Sequence, residues 1–203
     1  MTSVAVQLPR MTAWAHFFLR EVLSEGDCAV DLTAGKGRDT LVLAKLIGPS
    51  GILLSFDIQP QALQTTAALL EQDNLPAKFC HQAKPPAEAG IWLIEADHAL
   101  LGEYLSSSPR AIVANLGYLP GGDPTIFTQV GNLRKALLAS MERLAAGGRI
   151  VLVVYIGHPG GREEQTMLEE LTAELSARDW HVLRLQILNR QDAPYLLVLE
   201  KRR

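Results

Sequence analysis

An asparagine and a tyrosine close a strand-like apolar run, Arg110-Ala111-Ile112-Val113-Ala114-Asn115-Leu116-Gly117-Tyr118, and a Pro-Gly-Gly turn leads on to Asp123. A carboxamide oxygen accepts a hydrogen bond, so Asn115 can hold an amine and orient its lone pair. Tyr118 offers a flat ring to a planar base or to a methyl acceptor. Asp123 and His158 (in Gly157-His158-Pro159-Gly160-Gly161) are groups that can take up a proton. Each also has a plain reading. An isolated Asn at a strand end is ordinarily a turn residue, and His158 serves equally well as a hydrogen-bonding loop residue. What lies beside them decides.

A second set precedes them. Asp31, Gly35, Lys36, Gly37, Asp39 and Thr40 stand in DLTAGKGRDT, a D-x-x-x-G-x-G loop running into a helix. Glycines there let backbone approach a ligand closely. A dinucleotide site would carry a third glycine in the helix, and Thr40 holds that place. An acid ahead of the glycines suits a cationic ligand better than a pyrophosphate, and S-adenosylmethionine carries a sulfonium and an ammonium. Asp57 follows about twenty residues past the glycines, where an acid hydrogen-bonds ribose hydroxyls. Capping of the next helix is its alternative. Gln59 or Ile58 then lies beside the adenine. Asp97 and His98 end a third strand, Asp97 reading equally as a helix cap and His98 as a pocket residue. Tyr155 shares the rim with His158, and Gly160-Gly161 opens a helix whose first turn carries Glu163 and Glu164, favourable as anions for the helix dipole.

These groups need a frame to bring them together. Continuous apolar runs (CAVDLT, GILLSFDI, GIWLIEAD, RAIVANL, RIVLVVYIG) alternate with amphipathic segments. That pattern predicts an α/β fold, a mostly parallel sheet with helices on both faces. The last two runs, WHVLRLQIL and YLLVLEK, have only NRQDAP between them and predict a C-terminal antiparallel hairpin. Seven strands result, in a Rossmann-like class I methyltransferase order. The stretch from Asp73 to Gly90, with three prolines, reads as a long loop or an irregular strand approach. Ligands of such sheets bind at the carboxyl ends of the strands, and every candidate above stands at one.

Composition narrows the class. The chain has 203 residues, 48% hydrophobic and 20% charged, which suits a single domain with an N-terminal helical segment over residues 1–25. No apolar run reaches the roughly 18 residues of a membrane span. Cys28 and Cys80 lack metal spacing, so a reduced, cytoplasmic protein without a metal is expected. A net charge of −3 argues against holding a long duplex by charge alone. A local basic patch from Lys36, Arg38, Arg162, Arg184, Arg190 and the C-terminal EKRR is compatible with it, as are scattered surface charges.

Together, DLTAGKGRDT, FDIQ, NLGYLPGGD and GHPGGREE resemble the family first labelled rRNA methylases and later linked to the tRNA wobble uridine. The resemblance runs from the first helix to the last strand. Lys36 stands where the family tends to have Asn, and Asp97 where it tends to have Ser. The resemblance implies methylation of 5-aminomethyl-2-thiouridine to its 5-methylaminomethyl form with S-adenosylmethionine as cofactor. The implied partner is a tRNA anticodon loop, whose unstacked base can be splayed into a pocket. A homodimer would help a small acidic domain hold that RNA. Other readings are a methyltransferase of rRNA or of a small-molecule amine, and a non-catalytic S-adenosylmethionine-binding module.

Overall fold

The two-residue period of a strand decides which side chains of this sheet meet which helices. In the fifth strand, Ile112, Ala114 and Leu116 join one apolar layer, while Ala111 and Val113 join the other. Asn115 therefore leaves the sheet on the Ala111 and Val113 side. The same count puts Asp31 beside Ala29 and Ser55 beside Leu53.

A computed structural model describes residues 8–80, 88–117, 129–157 and 160–203. The elements in chain order are α1 (Met11–Arg20), β1 (Cys28–Asp31), α2 (Arg38–Ile47), β2 (Ile52–Asp57), α3 (Pro60–Gln72), β3 (Ala77–Cys80) and β4 (Gly90–Glu95). After a 3₁₀ turn (His98–Leu100) come α4 (Leu101–Tyr104), β5 (Ala111–Leu116), α5 (Val130–Arg143), β6 (Arg149–Val154), α6 (Gly161–Ala173), β7 (Trp180–Gln186) and β8 (Tyr195–Lys201). The strands form one sheet in the order β3-β4-β2-β1-β5-β6-β8-β7. β1 to β6 pair in parallel, β8 joins β6 antiparallel, and β7 pairs antiparallel with β8.

The parallel sheet and the terminal hairpin are as expected, but the strands number eight rather than seven. The addition is β3, inside the stretch expected to be a long loop or an irregular strand approach. It is a four-residue edge strand with none of its residues fully buried, and its flanking prolines masked it. Edge strands need little apolar sequence because one side faces solvent.

Residues of α1, α2 and α3 cover one face of the sheet, and residues of α4, α5 and α6 cover the other. The central strands are buried on both faces, and each buried Leu, Ile or Val side chain contributes about 1.5–3 kcal/mol. α3 begins at Pro60, whose missing N–H costs nothing in the first turn. α2 begins after Gly37, at φ +76°. A Cβ there would stand 2.9 Å from the Thr66 backbone in α3, so this glycine is needed for conformation and for space alike.

Glu164 departs from the sequence reading. In the first turn of α6 it was expected to favour the helix dipole as an anion. It is fully buried instead. Burial, and then the neighbouring charge of Glu163, push its carboxyl up to about 8. A raised carboxylate pKa makes the folded state bind the proton more tightly than the unfolded state. Its stabilising contribution is complete below the ordinary pKa of 4.5 and is lost as pH climbs through about 8. Glu164→Gln is therefore expected to flatten the decline of stability with pH. Its advantage over wild type grows from pH 5 to pH 9 to a few kcal/mol, at about 1.4 kcal/mol per pKa unit. Calorimetric melting at pH 5, 7 and 9 checks this, and parallel curves would refute it.

Candidate active site at the strand ends

Parallel pairing lines up the carboxyl ends of β1, β2, β4, β5 and β6 along one edge. Asp31 aligns with Ser55 and Val113, Asp57 with Glu95, and Asn115 with Val153. Residues that lie far apart in sequence meet there.

Asp31 and Thr40 form the floor. Both are fully buried. The Thr40 hydroxyl lies 2.7 Å from Asp31 Oδ2 and 2.8 Å from the Ser55 hydroxyl, and the Thr33 N–H donates to Asp31 Oδ1 at 3.0 Å. These bonds fix the glycine loop from below. Burial first, then the negative charge of Asp39, hold the Asp31 carboxyl well above its ordinary range.

Asp57 braces the loop from the side. Its Oδ2 accepts the Gly35 N–H and its Oδ1 the Gln59 N–H, each at 2.9 Å. It does not cap α3, whose cap residue is Gln59. Burial raises the Asp57 carboxyl, while the amides of Gln59 and Gly35 pull it back. Ile58 is about half exposed beside it.

Asp97 is committed to structure. Its Oδ1 caps the 3₁₀ turn through the Ala99 N–H at 2.8 Å, and its Oδ2 accepts from Asn132 of α5 at 2.5 Å. His98 keeps an open valence. Its ring bonds the Leu32 backbone, while its Nε2 is buried with no hydrogen-bond partner among the described residues. Burial lowers its pKa against the opposing charges of Asp97 and Asp57, so the ring is neutral at pH 7.

Asn115 is held at two points. Its N–H donates to the Thr33 hydroxyl at 2.8 Å, and its Nδ2 donates to Asp39 Oδ2. Its Oδ1 is buried and has no partner among the described residues. Asp39 Oδ1 in turn meets His16 Nε2 at 2.6 Å. Tyr155 is close enough that Asp39, after burial itself, raises its phenol pKa, with Arg10 opposing. Tyr155 thus holds its proton.

The structure brings Asp31, Gly35, Gly37, Asp39, Thr40, Asp57, Gln59, His98 and Asn115 to one edge. Lys36 and Arg38 are exposed at the loop. Tyr118, Asp123 and His158 lie outside the described residues. Of the basic residues, Arg184 pairs with Glu169 at 2.9 Å and Arg162 faces Asp192 at 3.8 Å. Sequence reading missed His16. Its signal was an imidazole among the apolar positions of the first helix, which by itself indicates only a half-buried helix face.

A doubly wound sheet with a glycine loop after β1, an acid as the last residue of β2 and an Asn at the carboxyl end of β5 defines a class I methyltransferase. Residues 53–201 match the family model described as "Putative rRNA methylase". The chain belongs to this family. It is 37% identical over 201 residues to an Arabidopsis thaliana protein, "tRNA (mnm(5)s(2)U34)-methyltransferase, chloroplastic", covering 95% of this chain and 70% of that one. Among solved structures it resembles a "putative rRNA-methylase" from Clostridium thermocellum, with TM-score 0.86 and 31% identity over 97% of this chain and 100% of the other. It also resembles a "putative methyltransferase" from Streptococcus mutans in complex with SAH, with TM-score 0.81 and 31% identity over 96% and 99%.

Proposed function

We propose that this protein transfers a methyl group from S-adenosylmethionine to the primary amine of 5-aminomethyl-2-thiouridine at the tRNA wobble position. The product is the 5-methylaminomethyl nucleoside. The observation that carries this reading is the Asn115 carboxamide. Its nitrogen is occupied by Asp39, and its oxygen is buried, unpartnered among the described residues and set at the strand-end edge. A buried acceptor without a donor is costly, and an amine N–H supplies the donor. The name of the Arabidopsis relative supports the same acceptor, and the SAH in the Streptococcus mutans structure supports the cofactor.

The residues present fit that cofactor. The Asp57 carboxylate and the unpartnered His98 Nε2 offer acceptors to hydroxyl and ammonium groups, and no phosphate needs a cradle. Asp57, His98, Gln59 and the loop from Gly35 to Gly37 would hold it. When bound, S-adenosylmethionine supplies an electrophilic methyl on a sulfonium.

The chain's own work is orientation. A free alkylamine has a pKa of about 10.4, like lysine, so the site must select the neutral form. Asn115 Oδ1 accepts one amine hydrogen and turns the lone pair toward the cofactor side. Alignment of this kind contributes about 7–11 kcal/mol. Asn115 is not a base, and Tyr155 holds its proton. Tyr118, Asp123 and His158 remain the proposed stacking and proton-accepting groups. The RNA partner is proposed to be the anticodon loop, held at the rim by Lys36 and Arg38. A cytoplasmic location and subunit pairing belong to the same proposal.

Nucleoside mass spectrometry tests it. Purified protein, S-adenosylmethionine and tRNA carrying the aminomethyl intermediate should yield that nucleoside heavier by one methyl. Methyl gain only on rRNA or on a free amine would overturn the acceptor.

A further inference from the structure

We infer that His16 of α1 is a positioning residue that fixes the Asn115 carboxamide through Asp39, an inference that rests on the reaction proposed above. The three side chains come from three distant elements. α1 is seated by Met11, Ala15 and Leu19, all buried and spaced at successive helical turns. It is tied to the sheet by Arg149, which donates to the Phe18 carbonyl at 3.0 Å and bonds Glu200 at 2.8 Å. That seat points His16 across the start of α2, where Nε2 meets Asp39 Oδ1 at 2.6 Å. The two side chains are 20% and 9% exposed. Asp39 Oδ2 then takes the Asn115 amide nitrogen.

The chain of contacts has a direction. An ionised carboxylate only accepts, so both neighbours must donate. Asp39 therefore demands a proton on His16 Nε2 and demands that Asn115 present its NH₂ rather than its oxygen. A carboxamide has nearly the same shape either way round, and nothing steric distinguishes the two. The Asp39 carboxylate does, and His16 stops that carboxylate from rotating. With His16 gone, one Asp39 oxygen loses its donor beside the buried Asp31. Asp39 is then free to turn, and Asn115 can offer the amine two hydrogens instead of a lone pair. A role confined to packing would not depend on a donor at this position.

His16→Leu keeps helix propensity and bulk but removes both ring nitrogens. It is expected to lower kcat about 30-fold, within the ~10²-fold that a 1 Å misplacement costs. The KM for tRNA and the S-adenosylmethionine affinity should stay within about twofold, because binding groups elsewhere are untouched. His16→Gln, which restores an N–H donor, should recover most of the loss. His16→Ala replaces the Leu variant should that one fail to fold. A second readout needs no turnover: the side-chain amide signals of Asn115 in a ¹H–¹⁵N spectrum, assigned by their disappearance in Asn115→Ala. They should shift in His16→Leu and return in His16→Gln. Wild-type kcat in His16→Leu, a Gln variant as slow as the Leu variant, or unmoved Asn115 signals would each overturn the inference. A wild-type enzyme that leaves the aminomethyl nucleoside unmethylated would overturn the reaction instead, and the amide signals would still report the link to His16.

Discussion

Asn115→Ala is expected to cut kcat by about 10²–10³-fold while leaving affinity for S-adenosylmethionine within about threefold, as removal of one preorganised group at a reacting centre does. The side chain ends in an oxygen that no described residue uses. Its backbone N–H stays bonded to Thr33 in the variant, so β5 keeps its place and the fold should tolerate the change. Asp39 loses one donor but keeps His16. The loss should therefore appear in the chemical step. Asn115→Asp separates orientation from charge. It keeps an acceptor oxygen but places a carboxylate against Asp39, two acceptors where one hydrogen bond stood. That variant should be at least as slow as the alanine variant. Single-turnover rates together with calorimetric cofactor binding decide it. An alanine variant with near-wild-type turnover would remove Asn115 from the reaction altogether.

The sheet and its site were readable to different depths. Apolar runs such as Ala111–Leu116 announce buried strands because both faces of a parallel sheet are covered. The loop glycines announce a ligand because they form the turn between strand and helix, and Asp57 because it ends the next strand about twenty residues on. β3 was hidden because an edge strand of four residues has no apolar period to display. The directions of Asp97 and His98 were hidden as well. Which of two adjacent residues caps a turn and which faces the pocket depends on backbone angles at Asp97 and on an Asn132 thirty-five positions away. His16 was the deepest of these. Its partner is twenty-three residues on, and the contact exists only because α1 and α2 pack on the same face. Burial of Glu164 was equally illegible, since a charged residue in a first helical turn carries the same local signal whether or not a sheet lies over it.

Asp57→Ala is expected to weaken S-adenosylmethionine binding by roughly 10–100-fold, the equivalent of about 1.5–3 kcal/mol for losing a charged hydrogen bond. Two causes act together. The ribose acceptor is lost, and the Gly35 and Gln59 N–H groups, each now 2.9 Å from a carboxylate oxygen, lose their partner. Gly35 adopts φ +54°, and without the brace that turn is free to relax away from the ligand. Asp57→Asn should rescue little. One end of an amide is a donor, and whichever way it turns it sets N–H against the N–H of Gly35 or of Gln59. At saturating cofactor, both variants should retain kcat within about fivefold, because Asn115 and Asp39 stand on other elements and binding rather than orientation has been impaired. Calorimetry and initial rates on the same preparations separate the two roles. Wild-type cofactor affinity in Asp57→Ala would mean that the carboxylate serves the loop alone and that the ribose is held elsewhere on this edge, with His98 Nε2 the first group to change next.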